Sequence, residues 1–167
     1  MTRLYLLRHA KARWAEPGSR DYDRALELSG RADADQIAAS MLLAGYVPET
    51  VLCSGAKRAR ETWEVAARHL PVADVRFIDG LYSSDAAGYL DIIRQAGGAG
   101  SALVVGHNPM MEDLATALSH AGEAEALAAV ARGFPAGGLA VIRFPASLSA
   151  IQPEDGYLED FLAPGNI

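Results

Sequence analysis

The chain alternates between short uninterrupted apolar runs and longer stretches in which apolar residues recur at helical spacing. Residues 4–7 form a run of the first kind, as expected of a strand buried on both faces, and it stops at Arg8-His9. After Ser29-Gly30, the residues Ala32, Ile37, Ala38, Met41 and Leu42 recur with helical period up to Gly45, which predicts a helix over about 30–44. Pro48 and Thr50 precede a second short strand, Val51-Leu52-Cys53. Residues 56–70, rich in Ala, Arg and Glu, read as a helix ended by Pro71. Residues 75–78 are the next strand. Asp85 is placed to cap a helix carrying Tyr89, Leu90, Ile92 and Ile93 toward Gly97-Gly98, residues 97–100 read as a loop, and 102–105 is again a bare apolar run. Asn108-Pro109 combines an N-cap side chain with a proline at the first helical position, and Met111, Leu114, Ala115 and Leu118 supply the apolar face that follows. Two further strands fall at 139–144 and 157–162, while residues 123–138, with Gly133, Pro135 and Gly137-Gly138, receive no element.

Strands alternating with helices of this length predict a mostly parallel sheet covered by helices on both faces, a three-layer α/β/α domain. With no internal repeat or low-complexity tract, the expectation is one domain over residues 1–167. A chain of 167 residues, half of them hydrophobic, buries roughly 70% of the surface its unfolded form exposes, so its core needs neither disulfides nor a metal. Its single cysteine, Cys53, cannot form an internal bridge, which suits a reducing, cytoplasmic setting. Fifteen Lys and Arg against 21 Asp and Glu leave a net charge of −6, unlike a duplex nucleic-acid binder. The apolar run near the N-terminus is short and interrupted by arginine, and no stretch approaches the about 18 apolar residues of a membrane span. The expectation is a chain neither exported nor membrane-spanning, with neither nucleic acid nor membrane as partner.

The unusual polar residues fall at strand ends. Arg8-His9 follows the first strand, residues 54–58 follow Cys53, and Gly106-His107-Asn108 follows Val105. In open α/β sheets ligands bind at the carboxyl ends of the strands, so three segments can bring two histidines and two arginines to one crevice. Guanidinium forks match phosphate oxygens and stabilise charge spread over them, and a helix beginning after His107 would add its positive dipole end. The expected guest is an anion, a phosphoryl group above all.

At this point the residues resemble a known family. Leu6-Leu7-Arg8-His9-Ala10 is similar to the Arg-His-Gly signature of the histidine phosphatase superfamily, whose phosphoglycerate mutase-like fold is a three-layer α/β domain. The segment from Ser54 through Arg58 to Thr62 is similar to the family's Ser-Pro-x-x-Arg-Ala-x-x-Thr stretch, and Val104-Val105-Gly106-His107-Asn108-Pro109 to its second-histidine stretch. The short length and the Gly80-Leu81-Tyr82 segment most resemble the SixA-like phosphohistidine phosphatases. The resemblance implies that His9 is the nucleophile that takes the phosphoryl group, with Arg8, Arg58 and His107 clamping it and no cofactor required. Ser54, Asn108 and Lys11 join Arg8 and Arg58 as candidate substrate contacts. Attack by a neutral imidazole, followed by hydrolysis of the N–P bond, splits one hard displacement into two easier ones, provided that one ring nitrogen is held by donating its hydrogen to an acceptor, a nearby backbone carbonyl above all.

The departures from the family pattern carry information too. Ala10 stands for the usual glycine and Gly55 for the proline commonly found after the serine, a change that could loosen the turn aiming Arg58. Ser83 occupies the slot where many family esterases place a glutamate acid; Asp79 and Asp85 flank it as possible substitutes. An alkoxide leaving group needs a proton, whereas imidazole leaving from phosphohistidine is less demanding, so loss of the acid favours an N–P substrate. With no insertion between Arg58 and His107, no lid is expected, and an open pocket suits a phosphorylated side chain of a signalling or phosphotransfer protein. The alternatives are a broad phosphomonoesterase on small phosphorylated metabolites, with Asp79 or Asp85 as acid, and a non-catalytic phosphate- or phosphopeptide-binding module. Tyrosine phosphatases place an arginine with a different spacing after their cysteine nucleophile than Arg58 has after Cys53, so Cys53 reads as a buried strand residue. His69 and His120 read as structural, and no histidine pair has metal-ligand spacing.

Overall fold

The computed structural model describes residues 1–96 and 100–165. The loop read at 97–100 and the glycine stop at Gly97-Gly98 lie, apart from Gly100, outside the described residues. Seven strands, β1 Thr2–Arg8, β2 Thr50–Cys53, β3 Asp74–Phe77, β4 Ser101–Gly106, β5 Ala121–Gly122, β6 Leu139–Phe144 and β7 Tyr157–Leu162, form one sheet in the order β3-β2-β4-β1-β6-β7-β5. β6 runs antiparallel to β1 and β7, and the other neighbours pair in parallel. Because side chains alternate along a strand, the sheet offers two apolar faces. Leu4, Leu6, Leu52 and Val104 look toward one cluster that α4 Ala86–Ala96, α5 Met110–Leu118 and α6 Ala124–Ala131 complete. Tyr5, Leu7, Val51, Cys53 and Val105 look toward the other, filled by Ile37 and Met41 of α1 Leu28–Ala44 and Trp63 of α2 Lys57–Ala66. This is the three-layer, mostly parallel arrangement that the hydrophobic pattern predicts; no described helix is long and apolar enough to cross a membrane.

Boundaries differ for local reasons. α1 begins at Leu28, so Gly30 lies inside its first turns, where the Lys11 backbone packs so closely that a Cβ would collide with the Lys11 carbonyl oxygen. α1 stops at Gly45, which takes a left-handed conformation with φ of 77°. α2 ends at Ala66 rather than near 70, because His69 and Leu70 both donate to the Ala66 carbonyl in a tightened last turn. Asp85 caps α4 as expected, its Oδ1 accepting the Gly88 N–H at 2.9 Å. Asn108 caps α5 by accepting the Glu112 N–H at 3.1 Å, and the helix begins at Met110, one residue later than predicted. The stretch without an assigned element holds α6, and one-turn helix α3 Gly80–Ser83 precedes α4.

The parallel register levels the ends of three strands. Arg8 lies opposite Gly106, and Cys53 opposite Val105. The His9 N–H donates to the Gly106 carbonyl and the Ser54 N–H to the Val105 carbonyl, so His9, Ser54 and His107 leave the sheet side by side.

Candidate active site

Past the ends of β1 and β4, the rings of His9 and His107 lie 5.2 Å apart, tilted by 55°. Both are buried, as are Ser54 and Arg58. The two histidines, with Arg8 and Arg58, line a pocket of about 330 Å³ that Lys11, Arg24 and Asn108 also border. Ser54, expected as a substrate contact, is fully buried with its hydroxyl engaged by His107 and the Ala56 N–H, and does not line it. Thr62, on the inner face of α2, accepts the Ala10 N–H and donates to the Arg58 carbonyl, tying the segment after β1 to the helix that carries Arg58.

Hydrogen bonds fix the tautomers of both histidines. His9 Nδ1 lies 2.7 Å from the Ala10 carbonyl oxygen, which only accepts, so Nδ1 bears the hydrogen and Nε2 keeps its lone pair. His107 Nε2 lies 2.7 Å from Ser54 Oγ, an oxygen that already accepts the Ala56 N–H at 3.2 Å. The buried hydroxyl donates its own hydrogen to Nε2, which leaves Nδ1–H of His107 as a donor. That Nδ1 is buried without a protein partner, as are Nε of Arg8 and Nε of Arg58. Three unpartnered donors on residues that line one pocket suit a tetrahedral oxyanion, because buried donors cost free energy unless something accepts from them.

Burial pushes the His9 imidazole from 6.5 down to about 3; the Ala10 carbonyl opposes the shift, and the nearby His107, Arg58 and Arg8 deepen it. Burial and then Arg58 take His107 to about 4, partly offset by Asp21. Both rings are neutral at physiological pH. Burial also lowers Arg8, with Glu112 opposing. Burial raises the Cys53 thiol, whose Sγ lies 3.4 Å from the Ser54 carbonyl oxygen, so this sulfur is no thiolate nucleophile.

Not every expected residue reaches the pocket. Asp79 Oδ1 accepts the Tyr22 hydroxyl at 2.6 Å, Asp85 caps α4, and neither lines the pocket. Asn108 lines it with its amide engaged, Nδ2 donating to the Phe134 carbonyl while Oδ1 caps α5. Lys11, largely exposed, pairs with Glu27 at 3.4 Å. Arg8 is steadied by the same Phe134 carbonyl at 2.9 Å. His69 bonds Asp35 at 2.7 Å, and no metal-ligand cluster exists among the described residues.

A strap between β1 and α1 supplies what the sequence reading missed. Residues 11–13 run antiparallel to 25–27 through the Ala12–Leu26 bridge, and the tip between them folds over Arg58. Arg58 donates from Nη1 to the Asp21 carbonyl at 2.8 Å and from Nη2 to Asp21 Oδ2 at 3.0 Å. Oδ2 also accepts the Tyr82 hydroxyl at 2.8 Å, and Oδ1 accepts Arg24 at 3.1 Å. Burial favours the neutral acid, yet these donors win and hold the Asp21 carboxyl at about 2. The expectation that nothing covers the site therefore needs correction: no lid lies between Arg58 and His107 among the described residues, but the strap before α1 covers Arg58. The dense alternation of charge in Arg20-Asp21-Tyr22-Asp23-Arg24, without helical or strand period, was its one signal in the sequence.

A larger groove of about 830 Å³ lies elsewhere, between α6 and the end of β7. It contains neither histidine, and Phe134, whose carbonyl holds Arg8, forms part of its wall.

Known proteins share the fold and the sequence pattern of this chain. The solved structure of the candidate phosphohistidine phosphatase SixA from Agrobacterium tumefaciens matches with a TM-score of 0.83 and 40% identity, over 98% of this chain and 99% of that one. An uncharacterised Mycobacterium tuberculosis protein is 31% identical over 162 residues, 95% of this chain and 99% of its own length. The chain spans only 38% of an uncharacterised chloroplastic protein of Arabidopsis thaliana, to which it is 39% identical over 84 residues. The sequence profile of the histidine phosphatase superfamily (branch 1) matches residues 4–89, and the chain belongs to that superfamily, on the SixA-like side of it.

Proposed function

We propose that the whole chain, residues 1–167, is one histidine phosphatase domain that hydrolyses phosphohistidine on a protein through a phosphoryl intermediate on His9. The observation that carries this reading is the Ala10 carbonyl on His9 Nδ1, which leaves a neutral imidazole with its Nε2 lone pair free in a pocket bearing two arginines. In the first step the Nε2 lone pair attacks phosphorus, the substrate's P–N bond breaks, and the departing nitrogen keeps the bonding pair. A phosphohistidine protonated on its other ring nitrogen leaves as neutral imidazole and takes no proton from the enzyme. In the second step water attacks the phosphorus of phospho-His9. The Nε2–P bond breaks, inorganic phosphate leaves with the water oxygen, and the spare proton passes to solvent. In both steps the Arg8, Arg58 and His107 donors meet the charge on the equatorial oxygens.

Preference for an N–P bond follows from the carboxylates. Asp21, the one on Arg58, is ionised and saturated by donors, so it has no proton for an alkoxide. Asp79 and Asp85 are engaged by Tyr22 and by the start of α4. The test measures phosphate release from a phosphohistidine-bearing protein domain and from p-nitrophenyl phosphate in parallel, with His9→Ala as control. Turnover that favours phosphohistidine and vanishes in the variant supports the reading. Preference for the ester would point to an aspartate acid and a small-metabolite phosphomonoesterase; activity on neither would make the pocket a phosphate-binding module.

A further inference from the structure

The strap carries an exposed tryptophan at the edge of the pocket. Trp14 is 89% exposed and stands one residue beyond the short ladder that anchors the strap. Its ring lies under the Arg24 guanidinium, 5.9 Å from the ring centroid, and Arg24 itself lines the catalytic pocket. The chain's other tryptophan, Trp63, is buried in the core, where such a ring is normally placed.

Charge around the pocket runs against the charge of the chain. Residues 8–24 and 54–60 hold eight of its 15 Lys and Arg but three of its 21 Asp and Glu, on a chain of net charge −6. Arg8, Lys11, Arg24 and Arg58 line the pocket itself, Arg13 and Arg20 lie on the same strap, and Lys57 and Arg60 act on Asp23 of the strap from the start of α2. Arg13 and Lys57 are exposed and form no salt bridge among the described residues. A rigid aromatic ring flanked by arginine is the composition of an interface anchor, and a basic rim selects an acidic partner and speeds its approach.

We propose that Trp14 and the basic rim are the docking surface for an acidic protein face that surrounds the phosphorylated side chain. This rests on the phosphohistidine-protein reading above. In this arrangement the pocket recognises only the phosphoryl group and its imidazole, while Trp14 and the rim recognise the carrier, so the two can be separated by mutation.

Three substrates separate them: an acidic phosphotransfer domain phosphorylated on histidine, free phosphohistidine, and histone H4 phosphorylated on histidine as a basic carrier. Trp14→Ala, and separately the pair Arg13→Glu with Lys57→Glu, should lower kcat/KM on the acidic domain at least tenfold through KM. On free phosphohistidine each should change it less than twofold. The wild-type protein should prefer the acidic domain to the histone, and 0.5 M salt should erase that preference. Equal losses on all three substrates, or a preference for the histone, would overturn the proposal. Binding is read independently on His9→Ala, which cannot accept the phosphoryl group: adding the phosphorylated acidic domain should shield Trp14 fluorescence from acrylamide. Shielding without turnover by the wild-type protein would keep the docking surface and discard the phosphatase reading, whereas turnover without shielding would do the reverse.

Discussion

His9, Ser54 and His107 stand buried at strand ends, the first two positioned through backbone hydrogen bonds to β4, whereas Arg24 reaches the pocket, and Asp21 reaches Arg58, on a partly exposed strap latched by side chains. The first group contains the atoms that would make and break bonds to phosphorus. The second positions one of those atoms' partners and borders the opening. Parallel strands in register hold catalytic geometry tightly at little added cost, while a strap can vary without disturbing the sheet. Substitutions in the strand-end group should therefore change kcat, and those in the strap should change KM.

The largest effect is expected from His9→Ala. Loss of the proposed nucleophile should lower phosphohistidine turnover by at least about 10³-fold, with circular dichroism unchanged, measured as single-turnover phosphate release. Ser54→Ala comes next. Without the hydroxyl, His107 is free to place its hydrogen on Nε2 and turn a lone pair toward the phosphoryl oxygens, so kcat should fall by roughly 10- to 100-fold with KM nearly unchanged.

A pH experiment sharpens the same contrast. In the unfolded chain both histidines take up protons near 6.5, but in the folded chain only near 3 and 4, so the unfolded state binds more protons across that window. Stability should fall as pH drops below about 6.5 and should level off below about 3. At about 1.4 kcal/mol per pH unit, each histidine contributes a loss of roughly 2 kcal/mol between pH 6.5 and 5. Urea unfolding at pH 7 and pH 5 should show a smaller loss in His9→Ala by about that amount; an equal loss would mean that His9 titrates normally in the folded chain. Asp21 works in a lower window, with its contribution present above its ordinary value of 3.8 and lost as pH falls through about 2.

The smallest effect belongs to the strap. Asp21→Asn removes the carboxylate that steadies Arg58 from outside, so KM should rise roughly five- to tenfold with kcat little changed. Because Asp21 is half-exposed, the midpoint of thermal unfolding should hardly move. A fall in kcat instead would place Asp21 with the strand-end group.

The strand-end group was readable in the sequence because each member follows an apolar run that stops abruptly, and a buried parallel strand can stop there only at the sheet's edge. Arg8, His9 and His107 needed no more than that, together with the rule that ligands gather at carboxyl ends. The strap was not readable. Asp21 finds Arg58 at 37 residues' distance and Tyr82 at 61, and no periodicity links them. Tautomers were also out of reach, since they depend on which carbonyl or hydroxyl lies within 3 Å of a ring nitrogen. α6 could have been found: Glu123 and then a run of six alanines and valines broken by Glu125 and Leu127 has high helical propensity, which the surrounding glycines and proline obscured.

Gly55 stands where the family pattern has proline, and the Tyr22–Asp79 hydrogen bond passes directly over it: a Cβ at residue 55 would collide with both partners. The three positions are therefore coupled in space. A larger residue at 55 pushes aside the ends of the Tyr22 and Asp79 side chains, so the bond as it stands here belongs with the glycine, and residues 22, 55 and 79 should vary together among relatives even though they are far apart in the chain.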